Sequence, residues 1–320
     1  MKRWTGQLVV TVSVEPDDPS VVGRTGSYRS LAGLQRFHEA CIGAGVRPTY
    51  LLTYSAAEQE PCVRLVRAAG AGAEVGAHLH PEDTPPIADD ERDCHTLRPS
   101  DVAPDRLRAK LANLAERVAE AAGSPPTAYR SGFFDITPAQ VAILAELGFE
   151  ADSSLGPLEK SREGYAFLDA PFAPYVMDPD APMRRLDGQA APTLVEVPMT
   201  SVFRSAFPRC WFRAYFRLPA RVRGMLRRLG LAEVLRLRPA TATASQLLAA
   251  CRRTEQLRIP AVMTVHSNEL AAGTSASVPD EAACTAYFDR LEQVFAFAHE
   301  RGWTSRTLTE VARATREGTP

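Results

Sequence analysis

Eight short apolar runs alternate with amphipathic helical patterns along this 320-residue chain, and the alternation limits its possible folds more than any other feature. Two strands that are joined by a helix pair in parallel, and the connection between them is a right-handed crossover. Eight such strands suit a closed or nearly closed (β/α) barrel, because no Gly-x-Gly-x-x-Gly motif follows the first strand to indicate a doubly wound dinucleotide-binding sheet. The predicted strands are residues 8–14, 48–54, 74–80, 128–132, 149–153, 194–199, 261–266 and 304–308, and the predicted helices are residues 31–42, 56–69, 104–122, 138–147, 244–257 and 280–301.

Two segments interrupt this alternation. Residues 82–101 are polar and acidic and contain proline, which predicts a loop over one face of the barrel. Residues 201–240 contain ten arginines and one acid, Glu233, with aromatic residues between them. We therefore predict one barrel domain over residues 1–320, with a partly helical insertion at about 201–240. Three roles remain open for the insertion: a solvated lid with arginines outward, a surface that contacts anionic lipid, or recognition of an anionic substrate.

Composition excludes several classes of protein. The chain is 45% hydrophobic and 23% charged with a net charge of −1, so disorder and general attraction to nucleic acid are both disfavoured. No stretch approaches 18 apolar residues, and acids follow the short first apolar run, so we expect no membrane span, no secretory signal and a cytoplasmic location. The six cysteines form no Cys-x-x-Cys pair, which predicts reduced core thiols.

Polar side chains gather where the predicted strands end, which is where active sites lie in parallel α/β barrels. His78 and His80 are two residues apart at the end of the third strand, so both point to the same face. Glu15, just after the first strand, is the natural third ligand. Two histidines, one carboxylate and an open position are typical of a catalytic zinc site, and we predict zinc or another divalent metal here. Tyr54, at the end of the second strand, is a candidate to line the substrate pocket.

Five segments also resemble, in order, the motifs of the polysaccharide deacetylase family (NodB homology, carbohydrate esterase family 4). The turn HLHP…TPP is most similar to the WalW-like subgroup. The resemblance implies a distorted (β/α) barrel of seven or eight strands, a divalent metal bound by a carboxylate and two histidines, and removal of acetyl groups from N-acetylated sugars. The segments are GVRPTYLLTY (45–54), AEVGAHLHPEDTPP (73–86), TAYRSGFFDITPAQVAILAELGFEADSS (127–154), LVEVPMTS (194–201) and MTVHSNEL (263–270).

The resemblance also implies roles for single residues. His78 and His80 match the metal histidines, although more common members space this pair by four, and Glu15 matches the metal carboxylate. His266 matches the general acid that protonates the departing amine. Arg130 matches the arginine that holds the catalytic base.

Two positions depart from the family pattern. Asp152 matches part of an acidic motif near the site, but the aromatic residue expected soon after it is absent. Ser13 stands where related sequences have an aspartate, the general base that takes a proton from the attacking water. A serine hydroxyl has no useful basicity near neutral pH without a partner base. Three interpretations remain open: Asp17 or Asp18 takes the proton instead, the substrate has a more reactive carbonyl, or the chain binds a glycan without hydrolysing it.

The leading hypothesis is a zinc-dependent hydrolase that removes an acetyl or other acyl group from an N-acylated amino sugar or a related carbohydrate amide. The alternative is a catalytically silent glycan-binding barrel descended from such enzymes. The expected partner is a small-molecule or oligosaccharide substrate, which could be anionic, and not nucleic acid. The sequence does not indicate the oligomeric state.

Overall fold

A computed structural model describes residues 4–23, 26–89, 91, 97–158, 167–168, 170–186, 194–205, 212–230 and 232–318 of the chain. All eight predicted strands are present, several of them shorter than predicted. The strands of the described residues are β1 (Gln7–Val14), β2 (Pro48–Leu52), β3 (Glu74–Leu79), β4 (Ala128–Ser131), β5 (Ala151–Asp152), β6 (Tyr175–Asp178), β7 (Ala181–Arg185), β8 (Val195–Glu196), β9 (Ser201–Phe203), β10 (Val234–Arg236), β11 (Ala261–His266) and β12 (Thr304–Ser305).

The main sheet is a curled, mostly parallel sheet in the order β11-β1-β2-β3-β4-β5-β8-β6-β7, with β12 beside β1. The strands from β11 to β8 are parallel, whereas β6 and β7 add antiparallel strands at one edge. Thr200 and Leu237 bridge the open side, since Thr200 N donates to Val262 O at 3.1 Å and Thr264 N donates to Leu237 O at 3.1 Å. The predicted fold class, a distorted (β/α) barrel, is therefore confirmed.

Helices cover the outer face of this sheet. Their starts follow local signals, because the side chains of Thr137, Thr243 and Thr307 each accept a hydrogen bond from the backbone three residues on. The cap at Thr307 also explains why the predicted strand 304–308 ends early, at Ser305. The helices of the described residues are α1 (Pro19–Val22), α2 (Leu31–Gly43), α3 (Glu60–Ala69), α4 (Pro104–Ala122), α5 (Pro138–Glu146), α6 (Phe212–Arg217), α7 (Ala220–Arg228), α8 (Ala244–Leu257), α9 (Glu281–Glu300) and α10 (Leu308–Arg316).

Strands β6, β7, β9 and β10 were not predicted from the sequence. Strand β7 has the sequence APMRR and is largely exposed, so it lacks the apolar run by which the barrel strands were recognised. Strands β9 and β10 form a separate antiparallel pair that flanks α6 and α7. Within residues 201–205, 212–230 and 232–240, the segment predicted as an insertion contains the two short strands β9 and β10 and the two helices α6 and α7.

Four cysteines, Cys41, Cys62, Cys251 and Cys284, are buried free thiols, as predicted. The other two, Cys94 and Cys210, lie outside the described residues. Among the helices that the structure describes, none is both long enough and apolar enough to cross a bilayer.

A buried lysine of α4 holds the loop that follows β3. The Lys110 ammonium is fully buried and donates to Pro81 O at 2.8 Å and Thr84 O at 2.7 Å. It also forms an ion pair of 2.9 Å with Glu91. The position was not predicted, because a lysine in an amphipathic helix ordinarily faces solvent. Since the loop begins directly after His80, Lys110 orders the chain beside the predicted metal ligands.

Replacing this lysine should destabilise the protein far more than replacing a solvent-exposed arginine of the same helix. Lys110→Met leaves Glu91 and two carbonyl groups short of a donor, so we expect a loss of roughly 3–5 kcal/mol in the free energy of unfolding. The matched control is Arg108→Met, whose ion pair with Glu146 is exposed to solvent, so its loss should change stability far less than that of Lys110. Urea unfolding of both variants measures the difference, and equal losses would contradict the role given to Lys110.

Candidate metal centre

Glu15, His78 and His80 converge on one point, as the sequence predicts. Their ligand atoms lie within 4.8 Å of one another. Glu15 Oε2 is 3.5 Å from Nε2 of each histidine, and the two imidazole rings are nearly perpendicular at 84°. Strand register produces this convergence, because Val14 pairs with Leu52 and Leu52 pairs with Ala77, which puts residues 15 and 78 at one level of the sheet.

The outer nitrogens of both histidines are held by acceptors. His78 Nδ1 lies 3.1 Å from Arg130 O, and His80 Nδ1 lies 3.1 Å from Glu82 Oε1. A proton on each Nδ1 satisfies these acceptors and leaves a lone pair on each Nε2, directed at the carboxylate of Glu15. Metal-binding histidines are oriented by outer partners in this way. Two imidazole lone pairs and a carboxylate that face each other need a positive charge between them, so the residues fit a divalent cation.

The electrostatics of the three groups agree with this. Burial lowers the pKa of His78 to about 4. Burial also acts against a charged His80, but its contacts with Glu15 and Glu82 outweigh burial and raise its pKa to about 10. Burial disfavours a charged Glu15 too, yet the nearby His266 and the two histidines keep the pKa of that carboxyl well below its usual value. Without a metal, His80 therefore carries a proton beside the Glu15 carboxylate, and a divalent cation bound by the three groups would displace that proton.

The segment His266–Glu269 fixes the position of Glu15. Ser267 Oγ donates to Glu15 O at 3.0 Å and accepts from Glu15 N at 3.1 Å. Asn268 Nδ2 donates to Glu15 Oε1 at 3.2 Å, which leaves Oε2 for the histidines. Sequence reasoning assigned no role to Ser267 or Asn268. The available signal was their place at the end of β11, the strand that neighbours β1.

His266 stands beside the metal residues and faces the same cavity. It pairs with Ser13 across β1 and β11. Its Nδ1 lies 3.3 Å from Arg238 Nη2 and 3.5 Å from Glu269 Oε1. Glu269 also accepts from the hydroxyl of Tyr287 at 2.9 Å. The buried Glu269 and the guanidinium of Arg238 thus orient His266, and neither residue was predicted to act in the site.

Ser13 and Arg130 form a buried polar layer behind the metal residues. Arg130 is 1% exposed and donates to Ser13 Oγ at 3.2 Å, Thr11 Oγ1 at 2.8 Å and Ser153 O at 2.8 Å. Burial lowers the pKa of Arg130 to about 10, so it stays charged at neutral pH. The arginine therefore contacts the position of the expected base, where this chain has a neutral hydroxyl.

Asp152 does not line the cavity. It pairs in register with Glu196 on the neighbouring strand, and both side chains are fully buried. Asp152 Oδ2 and Glu196 Oε2 have no hydrogen-bond donor, and burial raises the pKa of both carboxyls. Burial therefore favours the protonated form of both carboxyls, while the charge of Arg130 favours the ionised form of Asp152. A catalytic role for Asp152 stays a prediction, and Glu196 was not predicted as a site residue.

The two aspartates considered as substitute bases already have structural roles. Both carboxylate oxygens of Asp17 accept hydrogen bonds, one from the Ser27 hydroxyl at 2.7 Å and from a backbone amide at 2.8 Å, the other from a second amide at 3.0 Å. Asp18 accepts from Ser20 N at 2.9 Å and caps α1. The geometry therefore favours the interpretations in which no strand-one carboxylate replaces the missing base.

A cavity of about 720 Å³ opens over Glu15, His80 and His266. Tyr54 is not among its lining residues; its ring instead lies 5.4 Å from the guanidinium carbon of Arg117, so its predicted contact with substrate has no support in the geometry. Tyr28 lines the cavity in its place and was not predicted. The carboxylate residues of the lining are Glu15, Asp17, Asp18, Glu82, Asp83 and Glu269.

Comparison with known proteins supports the fold. No known family model matches the sequence, and no curated protein is significantly similar to it. A candidate polysaccharide deacetylase from Mycobacterium smegmatis is 17% identical with a TM-score of 0.51, over 97% of this chain and 96% of that chain. PuuE allantoinase is 11% identical with a TM-score of 0.54, over 98% and 91%. A 4-alpha-glucanotransferase from Thermococcus litoralis is 11% identical with a TM-score of 0.56, over 97% of this chain and 40% of that chain.

These three structures carry names of different activities, so at such low identity the similarity establishes the fold alone. The chain has a curled, mostly parallel α/β barrel of the kind seen in the polysaccharide deacetylase structure, which agrees with the fold that the sequence motifs imply.

The convergence of three ligands predicts that the purified protein binds about one divalent metal per chain after zinc loading. The double variant His78→Ala/His80→Ala should retain less than about a tenth of that amount, because it removes two of three ligands. His299→Ala, at an exposed histidine of α9, is the control and should bind as the parent does. Elemental analysis measures the metal, and undiminished binding by the double variant would contradict the site.

Proposed function

We propose that this protein is a metal-dependent hydrolase that removes an acetyl or other acyl group from an N-acylated amino sugar or a related carbohydrate amide. The observation that carries the proposal is the convergence of Glu15, His78 and His80, with both Nε2 atoms directed at the carboxylate, below a cavity that His266 also lines. The motif resemblance favours amide hydrolysis over the other uses of such a site.

The ligand set of two imidazoles and one carboxylate suits zinc. A divalent metal held there would polarise the acyl oxygen and lower the pKa of water at the site. The chain's own residues supply the rest. Glu15 is kept in place by Asn268 and Ser267, and His78 and His80 are kept in their ligating tautomers by Arg130 O and Glu82.

Proton donation falls to His266. Its ring borders the cavity and Nδ1 is turned toward Arg238 and Glu269, so Nε2 is the atom from which a proton would pass to the leaving nitrogen. Proton removal from water is the weak step of this site, because Arg130 meets the hydroxyl of Ser13 instead of a carboxylate. A positioned general base contributes typically ~10²- to 10⁴-fold, so the parent protein should be a slow catalyst.

The cavity's charge constrains the substrate. Six carboxylate residues line it, and Arg238 is the single arginine or lysine among the described lining residues. A divalent cation would offset part of this negative charge and leave the cavity acidic. Anionic substrates are therefore disfavoured relative to neutral or cationic ones, contrary to the possibility left open by the arginine-rich insertion.

Ser13 favours one alternative, a glycan-binding barrel that does not hydrolyse its ligand. The buried layer of Ser13, Thr11 and Arg130 is fully hydrogen-bonded without a carboxylate, so it has no group that accepts a proton from water near neutral pH. Acetate release from a panel of N-acetylated sugars, with and without zinc, tests the two functions. Zinc-dependent release supports the hydrolase, and binding of a sugar without release supports the alternative.

Removing the proposed proton donor should lower turnover and spare the metal. His266→Ala should reduce kcat on an amide substrate by at least ~10²-fold, within the range for one proton-transfer group. Its metal content should equal that of the parent, because His266 is not one of the three converging ligands. Steady-state kinetics with elemental analysis of the same samples makes the comparison. Activity that falls in proportion to metal content would instead make His266 a ligand.

Restoring a carboxylate at position 13 should increase activity. Ser13→Asp would place an acid against the buried guanidinium of Arg130, whose named partners there are all neutral oxygens, so the new charge is compensated. We expect deacetylation to rise at least ~10-fold, the low end of what a positioned base contributes.

Ser13→Asn is the matched control, because it has nearly the same shape and no basic oxygen, and it should not raise the rate. Circular dichroism would confirm that both variants fold. Absence of turnover by the parent and by folded, metal-loaded Ser13→Asp on every acylated sugar would rule out the deacetylase and leave the binding function.

A further inference from the structure

One helix of the insertion has an apolar stripe that the barrel does not cover. Val222, Met225 and Leu229 recur at intervals of three and four residues through α7 and its C-terminal end, so they lie on one face, and Leu218 precedes this helix across Pro219. Leu218 is 36% exposed, Met225 53% and Leu229 63%. No residue of α7 is fully buried. These four residues are called the α7 stripe below.

The α7 stripe is not the face that attaches the insertion to the barrel. That attachment is an aromatic cluster, in which Phe212 of α6 packs on Phe172, outside the insertion, and on Phe203 of β9, with ring centroids 5.7 and 4.9 Å apart. The hydroxyl of Tyr215 also donates to Ala232 O at 3.0 Å. The buried aromatic residues of α6 therefore account for the attachment of the insertion but not for the α7 stripe.

The charged residues of α6 and α7 are all arginines. Residues 212–230 contain six arginines and no acid, although the whole chain has a net charge of −1. Arg221 and Arg228 lie along one flank of the stripe by helical spacing, and Arg217 ends the preceding helix α6. Within the part of the chain that the structure describes, neither these three nor Arg227 forms an ion pair. The complementary partner is therefore anionic and also has an apolar layer beneath its charge.

We propose that α7 docks on a membrane surface that carries anionic lipid. The α7 stripe would enter the boundary between headgroups and acyl chains, and the flanking arginines would contact the lipid phosphates. RNA is also anionic, but basic and polar side chains bind its backbone, and an exposed aliphatic stripe would have no apolar surface to contact there. A second copy of the chain would have to bring an equally basic helix against this one. The proposal does not depend on the hydrolase assignment.

Co-sedimentation of the full-length protein with lipid vesicles tests the proposal. Vesicles of phosphatidylcholine with about one third phosphatidylglycerol should bind the protein at least ~10-fold more tightly than phosphatidylcholine alone, and added salt should weaken the binding. Met225→Glu/Leu229→Glu should bind at least ~10-fold more weakly than the parent, since it puts charge on the stripe. Ile42→Glu, at a residue of α2 that is 45% exposed, is the matched control and should bind as the parent does.

Circular dichroism melting and metal content of each variant show whether the barrel is intact. Failure of the parent to bind anionic vesicles would overturn the proposal, as would equal binding by the double variant with an intact barrel. Binding to single-stranded RNA in preference to vesicles would point to nucleic acid instead. A parent dimer that the double variant converts to a monomer, without vesicle binding, would assign the stripe to a second copy.

Discussion

The carboxylate of Glu15 is the group on which the rest of the site depends. It receives two imidazole nitrogens from β3 on one side and the amide of Asn268, just after β11, on the other. Because β3 and β11 lie on opposite sides of β1 in the sheet, Glu15 links parts of the chain that are far apart in sequence. The carboxylate and the two imidazole nitrogens attract a positive charge to the point where they converge. A divalent metal bound there is what the proposed hydrolysis needs.

Behind Glu15, the barrel interior contains the buried positive charge of Arg130, which acids without a hydrogen bond to it compensate. Arg130 donates to neutral oxygens, while the buried acids Asp152 and Glu196, paired in register on β5 and β8, have raised pKa values. An uncompensated buried charge is costly, so the acid pair contributes to keeping Arg130 in place. Ser13 completes this layer without a charge. The layer accommodates a serine at position 13, and it also offers the guanidinium of Arg130 as a partner for an aspartate at that position.

Loops outside the sheet decide which groups reach the cavity. Lys110 draws the loop after His80 against α4, which keeps Glu82 behind His80. Asp17 satisfies the amides at the start of α2 and is thereby unavailable as a base. The insertion contributes Arg238 to the cavity while its helix α7 points an apolar stripe away from the barrel. Arg238, near the end of the insertion, thus belongs to the site, whereas helix α7 is exposed to solvent.

The sequence by itself determined the parallel α/β barrel and the convergence of Glu15, His78 and His80. Both follow from local rules: apolar periodicity identifies strands and helices, and parallel strands end at the same edge. Tertiary structure decided what depends on contacts between distant segments. Tyr54 packs beside Arg117 while Tyr28 lines the cavity, Glu196 pairs with Asp152, and Ser267 and Asn268 hold Glu15. No periodicity encodes these contacts, because each depends on how loops of different length fold back over the strand ends.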